Sequence, residues 1–298
     1  MIRVLMISDV FFPRVNGVST SIATFRDALR AHGVDVRLIA PRYGSEAEAA
    51  GGVRGPGRRL PLDPDDRLVR LRAMRQTAQH EAARCDLVHI QTPFVAHHAG
   101  LRAARAHRRP VLLTYHTFFE EYLHHYAPFL PAGVLRGLAR RVSRTQCNAV
   151  DRVVVPSSAM RERLAGYGVR TPMQILPTGI PVRDFSGGDG LRFRRRHGIP
   201  DATPMALYIG RVAHEKNIGF LLEVAARLKD GLPDVVLVVA GEGPATPSLQ
   251  ARVAQMGLTG TVRFVGYLER RAQLPDCYAA ADVFVFASRT ETQGLVLL

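Results

Sequence analysis

Short continuous apolar runs alternate along this chain with stretches whose apolar residues recur every three or four positions. The first pattern is typical of buried strands and the second of amphipathic helices. In the first half, the apolar runs predict strands at Arg3–Ser8, Val34–Ala40, Leu87–Gln91, Val111–Tyr115 and Arg152–Pro156. The helical spacing predicts helices at Ser19–His32, Arg67–Arg84, Ala96–His107, about Gly133–Ala149 and Ser157–Tyr167. Such alternation predicts a parallel sheet covered by helices on both faces.

The second half repeats this alternation. Strands are predicted at Met205–Ile209, Val235–Ala240, Val262–Val265 and Val283–Phe286. A helix is predicted from Ile218, with Asn217 as its N-cap. Turn residues cluster at Pro177–Phe185, so we expect two α/β domains at residues 1–180 and 181–298. Gly44–Arg59, rich in Gly, Ala and Glu, is predicted to be a flexible loop.

The composition is that of an ordinary soluble globular protein, with 298 residues of which 47% are hydrophobic and 22% charged. No apolar run reaches the roughly 18 residues that a membrane span needs. The N-terminus is a strand without the apolar core of a signal peptide. The three cysteines are widely spaced and match no metal-ligand pattern, which favours a reduced, cytoplasmic setting: Cys85, Cys147 and Cys277.

The net charge of +14 lies almost entirely in the first half. Residues 1–180 hold 26 basic and 14 acidic side chains, a net of +12, against 14 and 12 in residues 181–298. Nucleic acid and anionic membrane are the usual partners of such a surface. No RNA-binding signature or helix-turn-helix pattern supports nucleic acid. Arginine-rich composition bias is the alternative, since Lys216 and Lys229 are the only lysines.

Two loops that follow strands carry candidate chemistry. Arg211 and Lys216 lie between a strand and the predicted N-terminus of a helix, where free N–H groups and the helix dipole favour a diphosphate. A solvated basic loop is the alternative. After the first strand, Gly17 permits close approach of a ligand to the backbone, and Ser19 or Thr20 can cap the next helix. An ordinary turn between a strand and a helix is the alternative for this loop.

His116 directly follows a strand, at the sheet edge where open α/β folds bind ligands. A core histidine is the alternative. Asp63-Pro64-Asp65 imitates a metal-binding D-x-D motif, but its proline-flanked loop setting lacks the matching scaffold, so we expect no metal site.

The helix near Gly133–Ala149 is basic and amphipathic. Arg136, Arg140 and Arg144 share one face, while apolar side chains share another: Val134, Leu135, Leu138 and Val142. Such a helix can lie on an anionic membrane, or it can simply bury its apolar face in the domain core.

Two motifs, in order and each after a strand, carry a family resemblance. Gly210–Asn217 has the pattern G-R-x-x-x-E-K-N, and Ser288–Leu295 has the pattern S-x-x-E-x-x-G-L. Together they resemble retaining GT-B glycosyltransferases of family 4, and the resemblance covers nearly the whole chain. It implies two Rossmann-like domains that face each other across a cleft, the first on the acceptor side. It also implies retaining transfer of a hexose from a UDP- or GDP-hexose to a hydroxyl acceptor, without a metal or other cofactor.

The resemblance also implies roles for particular residues. His116 and Glu291 are the expected catalytic residues, and Arg211, Lys216 and Gly17 are expected to hold the donor diphosphate. The remaining donor contacts are expected at Asn16, Gly241, Glu242, Gly266, Gly294 and Leu295. The chain departs from the family at Asn16-Gly17, where many members have two glycines.

The aromatic and histidine-rich run at Thr117–Tyr126 resembles the subset acting on lipid acceptors, such as diacylglycerol glucosyltransferases and lipid mannosyltransferases. We therefore expect a lipid acceptor of the diacylglycerol or phosphatidylinositol type and a peripheral position on the inner face of the membrane, with the Arg136, Arg140 and Arg144 face in contact with lipid. An aromatic loop packed beneath the next helix is the alternative for this run. The rival function is a non-catalytic chain that binds anionic membrane through its basic first domain.

The second motif opens a Glu-x7-Glu pair in the family, and the chain ends at Leu298, one residue short of the second glutamate. We therefore expect a second domain that lacks its final elements. The 298-residue chain is expected to be inactive and prone to association.

Overall fold

The computed structural model describes residues 1–44, 52–55, 57–59, 67–116, 131–288 and 290–297. These form two compact units, Met1–Gly179 and Ile180–Leu298. The Asp63–Asp65 segment and the aromatic run at Thr117–Tyr126 lie outside the described residues.

The first unit is built on a seven-stranded parallel sheet in the order β3-β2-β1-β6-β7-β8-β9. Its strands are β1 (Arg3–Ile7), β2 (Asp35–Pro41), β3 (Gly52–Gly55), β6 (Leu87–Ile90), β7 (Val111–Thr114), β8 (Arg152–Val155) and β9 (Met173–Ile175). A short antiparallel hairpin joins β4 (Gly57–Arg59) to β5 (Arg67–Val69). The helices are α1 (Gly17–Ala31), α2 (Leu71–Ala82), α3 (Val95–Ala106), α4 (Ala132–Cys147) and α5 (Ser158–Gly166).

The predicted alternation of strands and helices is confirmed, with two differences near the sheet edge. The helix predicted at Arg67–Arg84 begins only at Leu71, because Arg67–Val69 pairs as a strand. The loop predicted at Gly44–Arg59 contains the strand Gly52–Gly55, which pairs with β2. Both strands are held by backbone hydrogen bonds, which need no apolar pattern in the sequence.

The second unit has a four-stranded parallel sheet in the order β12-β11-β10-β13. Its strands are β10 (Met205–Ile209), β11 (Val236–Ala240), β12 (Val262–Gly266) and β13 (Val283–Phe284). Its helices are α6 (Gly190–Arg196), α7 (Ile218–Gly231), α8 (Thr246–Gln255) and α9 (Leu274–Ala280). The predicted strand Val283–Phe286 is shorter than expected, and Leu295–Leu297 forms a 3-10 turn.

The central strands β1 and β10 are buried except for Arg3, because helices cover both faces of each sheet. Leu5 and Ile7 of β1 belong to one apolar cluster, and Val4 and Met6 belong to another on the opposite face. In β10, Tyr208 likewise belongs to one apolar cluster and Leu207 to another on the opposite face. Alternate side chains of a strand point to opposite faces, so two-sided burial produces the continuous apolar runs of the sequence.

The N-cap of α1 is not the one predicted from the sequence. The side-chain oxygen of Asn16 accepts a hydrogen bond from the backbone N–H of Ser19 at 2.8 Å. Ser19 and Thr20, the predicted caps, lie inside the helix. Asn16 is extended, as an N-cap residue should be, and its short amide reaches the third helical N–H.

The faces of α4 also differ from the prediction. Of the four apolar residues predicted to share one face, Leu135 is buried, whereas Val134, Leu138 and Val142 are exposed. Polar Ser143 and Gln146 take inward positions, because the Ser143 hydroxyl lies 2.8 Å from the Tyr115 hydroxyl and the Gln146 amide donates to the Pro93 carbonyl at 2.7 Å. The helix therefore presents apolar side chains outward as well as arginines.

Within the ranges that the structure describes, no helix combines the length and the apolar character needed to cross a bilayer.

Candidate functional site

Three loops meet at the carboxyl edge of the second unit's sheet. The Val212 N–H donates to the Glu242 carbonyl at 2.9 Å, and the Gly241 N–H donates to the Gly266 carbonyl at 2.8 Å. These bonds join the loops that follow β10, β11 and β12. The carboxyl edge of a parallel sheet is where open α/β folds bind ligands, so the backbone here forms a fixed floor for one.

Gly241 is required by this close approach. Its φ is 129°, and a Cβ at this position would lie 2.0 Å from the Gly210 carbonyl oxygen. Any larger residue would push apart the loops after β10 and β11. Glu242 and Gly266, two other predicted donor contacts, lie beside it, with the Glu242 carboxylate accepting weakly from the Tyr267 N–H at 3.4 Å.

The loop after β10 is anchored from beneath by Tyr208. This side chain is fully buried and stacks on Phe286, with 6.2 Å between ring centroids. Its hydroxyl donates to the Arg211 carbonyl at 3.0 Å. Burial raises the pKa of the Tyr208 phenol, so the hydroxyl keeps its proton and remains a donor. The Arg211 side chain is exposed at the surface of the anchored loop.

Asn217 occupies the predicted N-cap position of α7, but its side chain does not make the cap hydrogen bond. It adopts the left-handed conformation, with φ 54° and ψ 35°, and makes no side-chain cap bond. Asparagine is one of the few residues that enter this region at low cost. Its amide points instead towards the Ala287 carbonyl at 3.4 Å, in the segment that leads to Glu291.

Lys216 and Glu291 form an ion pair that joins the two motifs. Lys216 Nζ lies 2.5 Å from Glu291 Oε1, and the side chains are only 16% and 27% exposed. Gly294 and Leu295 follow, the first buried and the second in the 3-10 turn. The cation predicted for the diphosphate and the acid predicted for catalysis therefore belong to one partly buried pair.

In the first unit, His116 lies past the end of β7 as predicted. Its Nε2 is 2.9 Å from the side-chain oxygen of Gln91, which follows the neighbouring strand β6. Burial lowers the pKa of His116 to about 4, so the ring is neutral at neutral pH. A second histidine, His89, lies in β6 with its Nε2 2.7 Å from the Thr114 hydroxyl, and burial lowers its pKa to about 3.

Asp9 anchors the loop that leads to Gly17. Its carboxylate accepts from the Thr92 hydroxyl at 2.8 Å and from the Ala96 N–H at 3.0 Å, at the N-terminus of α3. Burial raises the pKa of Asp9 to about 6, although these bonds favour the charged form. A Cβ on Gly17 would meet no atom within 4 Å, so packing inside the protein does not require glycine there.

Sequence reasoning missed Gln91, Thr92 and Tyr208 as parts of these sites. Gln91 and Thr92 each act through a contact with a residue distant in sequence, and Tyr208 acts through its bond to the Arg211 carbonyl and its stacking on Phe286. The local signal for Gln91 and Thr92 is their position, since polar residues that directly follow an apolar strand fall at the ligand-binding edge. Over the described ranges, no group of three or more His, Cys, Asp or Glu side chains could hold a metal ion.

Comparisons with known proteins show which family this chain is similar to. Residues 15–184 match the family described as Glycosyltransferase Family 4, and residues 191–298 match Glycosyl transferases group 1. An alpha-monoglucosyldiacylglycerol synthase of Streptococcus pneumoniae is 30% identical over 99% of this chain and 68% of its own length. A GDP-mannose-dependent alpha-mannosyltransferase of Mycobacterium tuberculosis is 29% identical over 98% of this chain and 74% of its own. The crystal structure of Anabaena HepE with UDP-glucose shares 16% identity at a TM-score of 0.73, over 97% of this chain and 74% of that one. This likeness shows the fold, which is the predicted GT-B fold.

Proposed function

The chain belongs to the family 4 glycosyltransferases, and from this membership we propose that it transfers a hexose, with retention, from a nucleotide-diphospho-sugar to a hydroxyl of a membrane lipid. Residues 181–298 hold the donor, and residues 1–180 face the acceptor.

The observation that carries the proposal is the 2.5 Å pair between Lys216 and Glu291. It brings the diphosphate motif and the sugar motif to one edge of the second sheet, beside Arg211 and the N-terminus of α7. A diphosphate bound there meets two cations and a helix dipole, and the sugar attached to it reaches Glu291.

The chemistry follows from the charges. As the bond between sugar and diphosphate breaks, negative charge grows on the departing phosphate, and Arg211 and Lys216 stabilise that charge more strongly than they stabilise the bound donor. We expect no metal or other cofactor because these two cations supply the positive charge. Glu291 accepts hydrogen bonds from sugar hydroxyls and fixes the position of the anomeric carbon.

The other donor contacts are made largely by backbone groups. Gly241, Glu242 and Gly266 line the floor on which the nucleotide lies, and Gly294 and Leu295 supply N–H groups beyond Glu291. In the first unit, neutral His116 meets a sugar hydroxyl, and Asn16 and Gly17 approach the donor phosphates.

The names of the relatives support the donor and the stereochemistry. One relative is named as an alpha-glucosyl synthase and the other as a GDP-mannose-dependent alpha-mannosyltransferase, while HepE was solved with UDP-glucose. We therefore propose a UDP- or GDP-hexose as donor. An α-linked product formed from an α-linked donor is transfer with retention.

The lipid acceptor is supported by the diacylglycerol in the first relative's name and by the outer surface of α4. On that helix, the exposed Val134 and Leu138 lie to one side of the buried face, and the exposed arginines lie to the other side. Apolar side chains next to cationic ones suit an anionic bilayer surface. We propose that the enzyme binds peripherally to the cytoplasmic face of the membrane, with α4 in contact with lipid.

The test is a transfer assay of the full-length protein with UDP-glucose and GDP-mannose as donors and diacylglycerol or phosphatidylinositol vesicles as acceptor. We expect one donor to give a glycolipid whose anomeric proton shows an α-linkage by NMR. A β-linked product contradicts retention. Binding to anionic vesicles without transfer from either donor favours the non-catalytic membrane-binding alternative.

A further inference from the structure

The imidazole of His116 and the carboxamide of Gln91 form a pair at the carboxyl edge of the first sheet. They follow the parallel neighbours β7 and β6, whose register sets Ile90 beside Leu113. The pair distance is 2.9 Å from His116 Nε2 to Gln91 Oε1. Gln91 is 1% exposed, and its backbone N–H donates to the Ile7 carbonyl of the central strand at 2.9 Å. Gln91 is therefore held on both sides and cannot itself reach a ligand in solution.

This contact determines which imidazole nitrogen carries the proton. Neutral imidazole has one N–H, and the oxygen of a carboxamide can only accept a hydrogen bond. With Oε1 of Gln91 facing the ring, the proton lies on Nε2 of His116, and Nδ1 keeps its lone pair. The Gln91 Nε2 amide has no partner among the residues that the structure describes, so the bond to His116 is what fixes this carboxamide.

We propose that Gln91 is the positioning residue for His116: it holds the ring plane and keeps the proton on Nε2, so that Nδ1 accepts a hydrogen bond from a donor-sugar hydroxyl. This rests on the proposed function only in taking His116 as a sugar contact. With the other tautomer, Nδ1 would present a proton, and a hydroxyl there would have to turn and accept it.

The experiment measures the tautomer and the kinetics separately in the full-length protein. Proton–nitrogen NMR of the protein labelled with 15N-histidine reports which ring nitrogen is protonated, and the His116 signals among the 11 histidines are those lost in His116→Ala. We expect the Nε2–H form in the unmodified chain and a mixture of both forms in Gln91→Met. Since one hydrogen bond is lost, kcat should fall about two- to ten-fold while the KM of the acceptor stays unchanged.

Gln91→Glu separates positioning from simple packing. A carboxylate still accepts from Nε2, so the Nε2–H form should be retained, and it favours the imidazolium, so the pKa of His116 should rise towards its ordinary range. His89, the titratable group beside His116, is followed in the same spectra. Gln174→Met removes a glutamine amide on the edge strand β9, where it donates to the Ile175 carbonyl at 3.2 Å, and should leave both tautomer and kcat unchanged.

An Nδ1–H form in the unmodified chain, or an unaltered tautomer in Gln91→Met, overturns the proposal. If Gln91→Met does not fold, the spectra of Gln91→Glu provide the test. An unshifted pKa of His116 in that variant overturns the proposal. If the tautomer responds as expected but His116→Ala and Gln91→Met keep full activity, then His116 is not a sugar contact. In that case the proposed role of His116 fails, while the control of its ring by Gln91 stands.

Discussion

Lys216 Nζ lies 2.5 Å from Glu291 Oε1, across 75 residues of sequence. The pair joins two loops that leave different strands of the same sheet, β10 and β13. The amide of Asn217 adds a second, longer link to the Ala287 carbonyl at 3.4 Å. A change in either charged residue therefore alters the electrostatic environment of the other, and the two motifs should behave as one energetic unit.

Both cations are expected to be needed for the diphosphate. Arg211→Ala or Lys216→Ala should weaken binding of UDP or GDP roughly ten-fold or more, since a hydrogen bond to a charged group contributes about 1.5–3 kcal/mol. Isothermal titration calorimetry of the full-length protein measures this. Lys229→Ala, a change of the other lysine on the exposed end of α7, is the matched control. Unchanged affinity in both variants would remove this loop from the donor site.

Glu291→Gln should lower transfer without lowering the affinity for nucleotide. In Glu291→Gln the carboxylate no longer competes with phosphate for Lys216, so the affinity for the nucleotide diphosphate should be equal or higher. Transfer should fall strongly because the sugar loses a charged hydrogen-bond partner. Calorimetry and a transfer assay on one preparation test both statements. A loss of nucleotide affinity as large as that in Lys216→Ala contradicts this arrangement.

His116 is expected to act in transfer rather than in stability. His116→Ala should lower transfer about ten-fold or more, while the loss of one hydrogen bond, about 1 kcal/mol, should lower the melting temperature by only about 2–4 °C. Calorimetric melting and activity are measured on the same samples, with exposed His80→Ala as control. A large loss of stability with unchanged specific activity would identify His116 as a core histidine.

Stability should fall in mild acid. Burial lowers the pKa of His89 to about 3 and those of His97 and His116 to about 4. Between pH 6.5 and about 4 the unfolded chain therefore binds three protons that the folded chain does not. Asp9 acts in the opposite direction, because its folded pKa of about 6 lies above its ordinary value. From these four groups, the free energy of unfolding should fall by roughly 2–3 kcal/mol per pH unit in this window.

Urea unfolding at several pH values measures this slope. His89→Gln keeps a hydrogen-bond partner for Thr114 and removes one titrating group, so it should flatten the slope by about 1.4 kcal/mol per pH unit. A slope that is the same in the variant contradicts the assignment of His89 as buried and neutral.

Membrane binding should depend on α4. Replacing Arg136, Arg140 and Arg144 by Ser should weaken sedimentation with anionic vesicles, because each basic residue near such a surface contributes about 1 kcal/mol. Binding should also weaken with added salt. The Arg195→Ser, Arg196→Ser double variant alters exposed arginines of the second unit and serves as control. Unchanged sedimentation of the triple variant would remove the arginine face from membrane binding.

The apolar side of α4 requires its own variant. Val134→Ser with Leu138→Ser should reduce binding to anionic and neutral vesicles equally, because apolar burial does not depend on the lipid charge. If neutral vesicles bind the unmodified protein as tightly as anionic ones, the apolar residues dominate and the arginines contribute little.

By itself the sequence determined the alternation of strands and helices, the parallel sheets and the two motif loops. These features are encoded locally: two-sided burial gives a continuous apolar run such as Met205–Ile209, and a motif such as Gly210–Asn217 is read within a few residues. The position of His116 at the end of a strand followed from the same local pattern.

Only the tertiary structure decided which side chains meet and which helix faces are covered. The Lys216–Glu291 and His116–Gln91 pairs depend on the order of strands in each sheet, which brings together residues distant in sequence. On α4 the helical period marked an apolar face, but Ser143 and Gln146 turn inward because Tyr115 and Pro93 offer them hydrogen bonds. Asn16 and Asn217 both occupy N-cap positions, but only the Asn16 side chain makes the cap hydrogen bond, because the backbone conformation at each position decides what an asparagine amide can reach. The apolar pattern of the sequence determines the period of a helix or strand, and the neighbouring elements in the fold determine what each of its faces contacts.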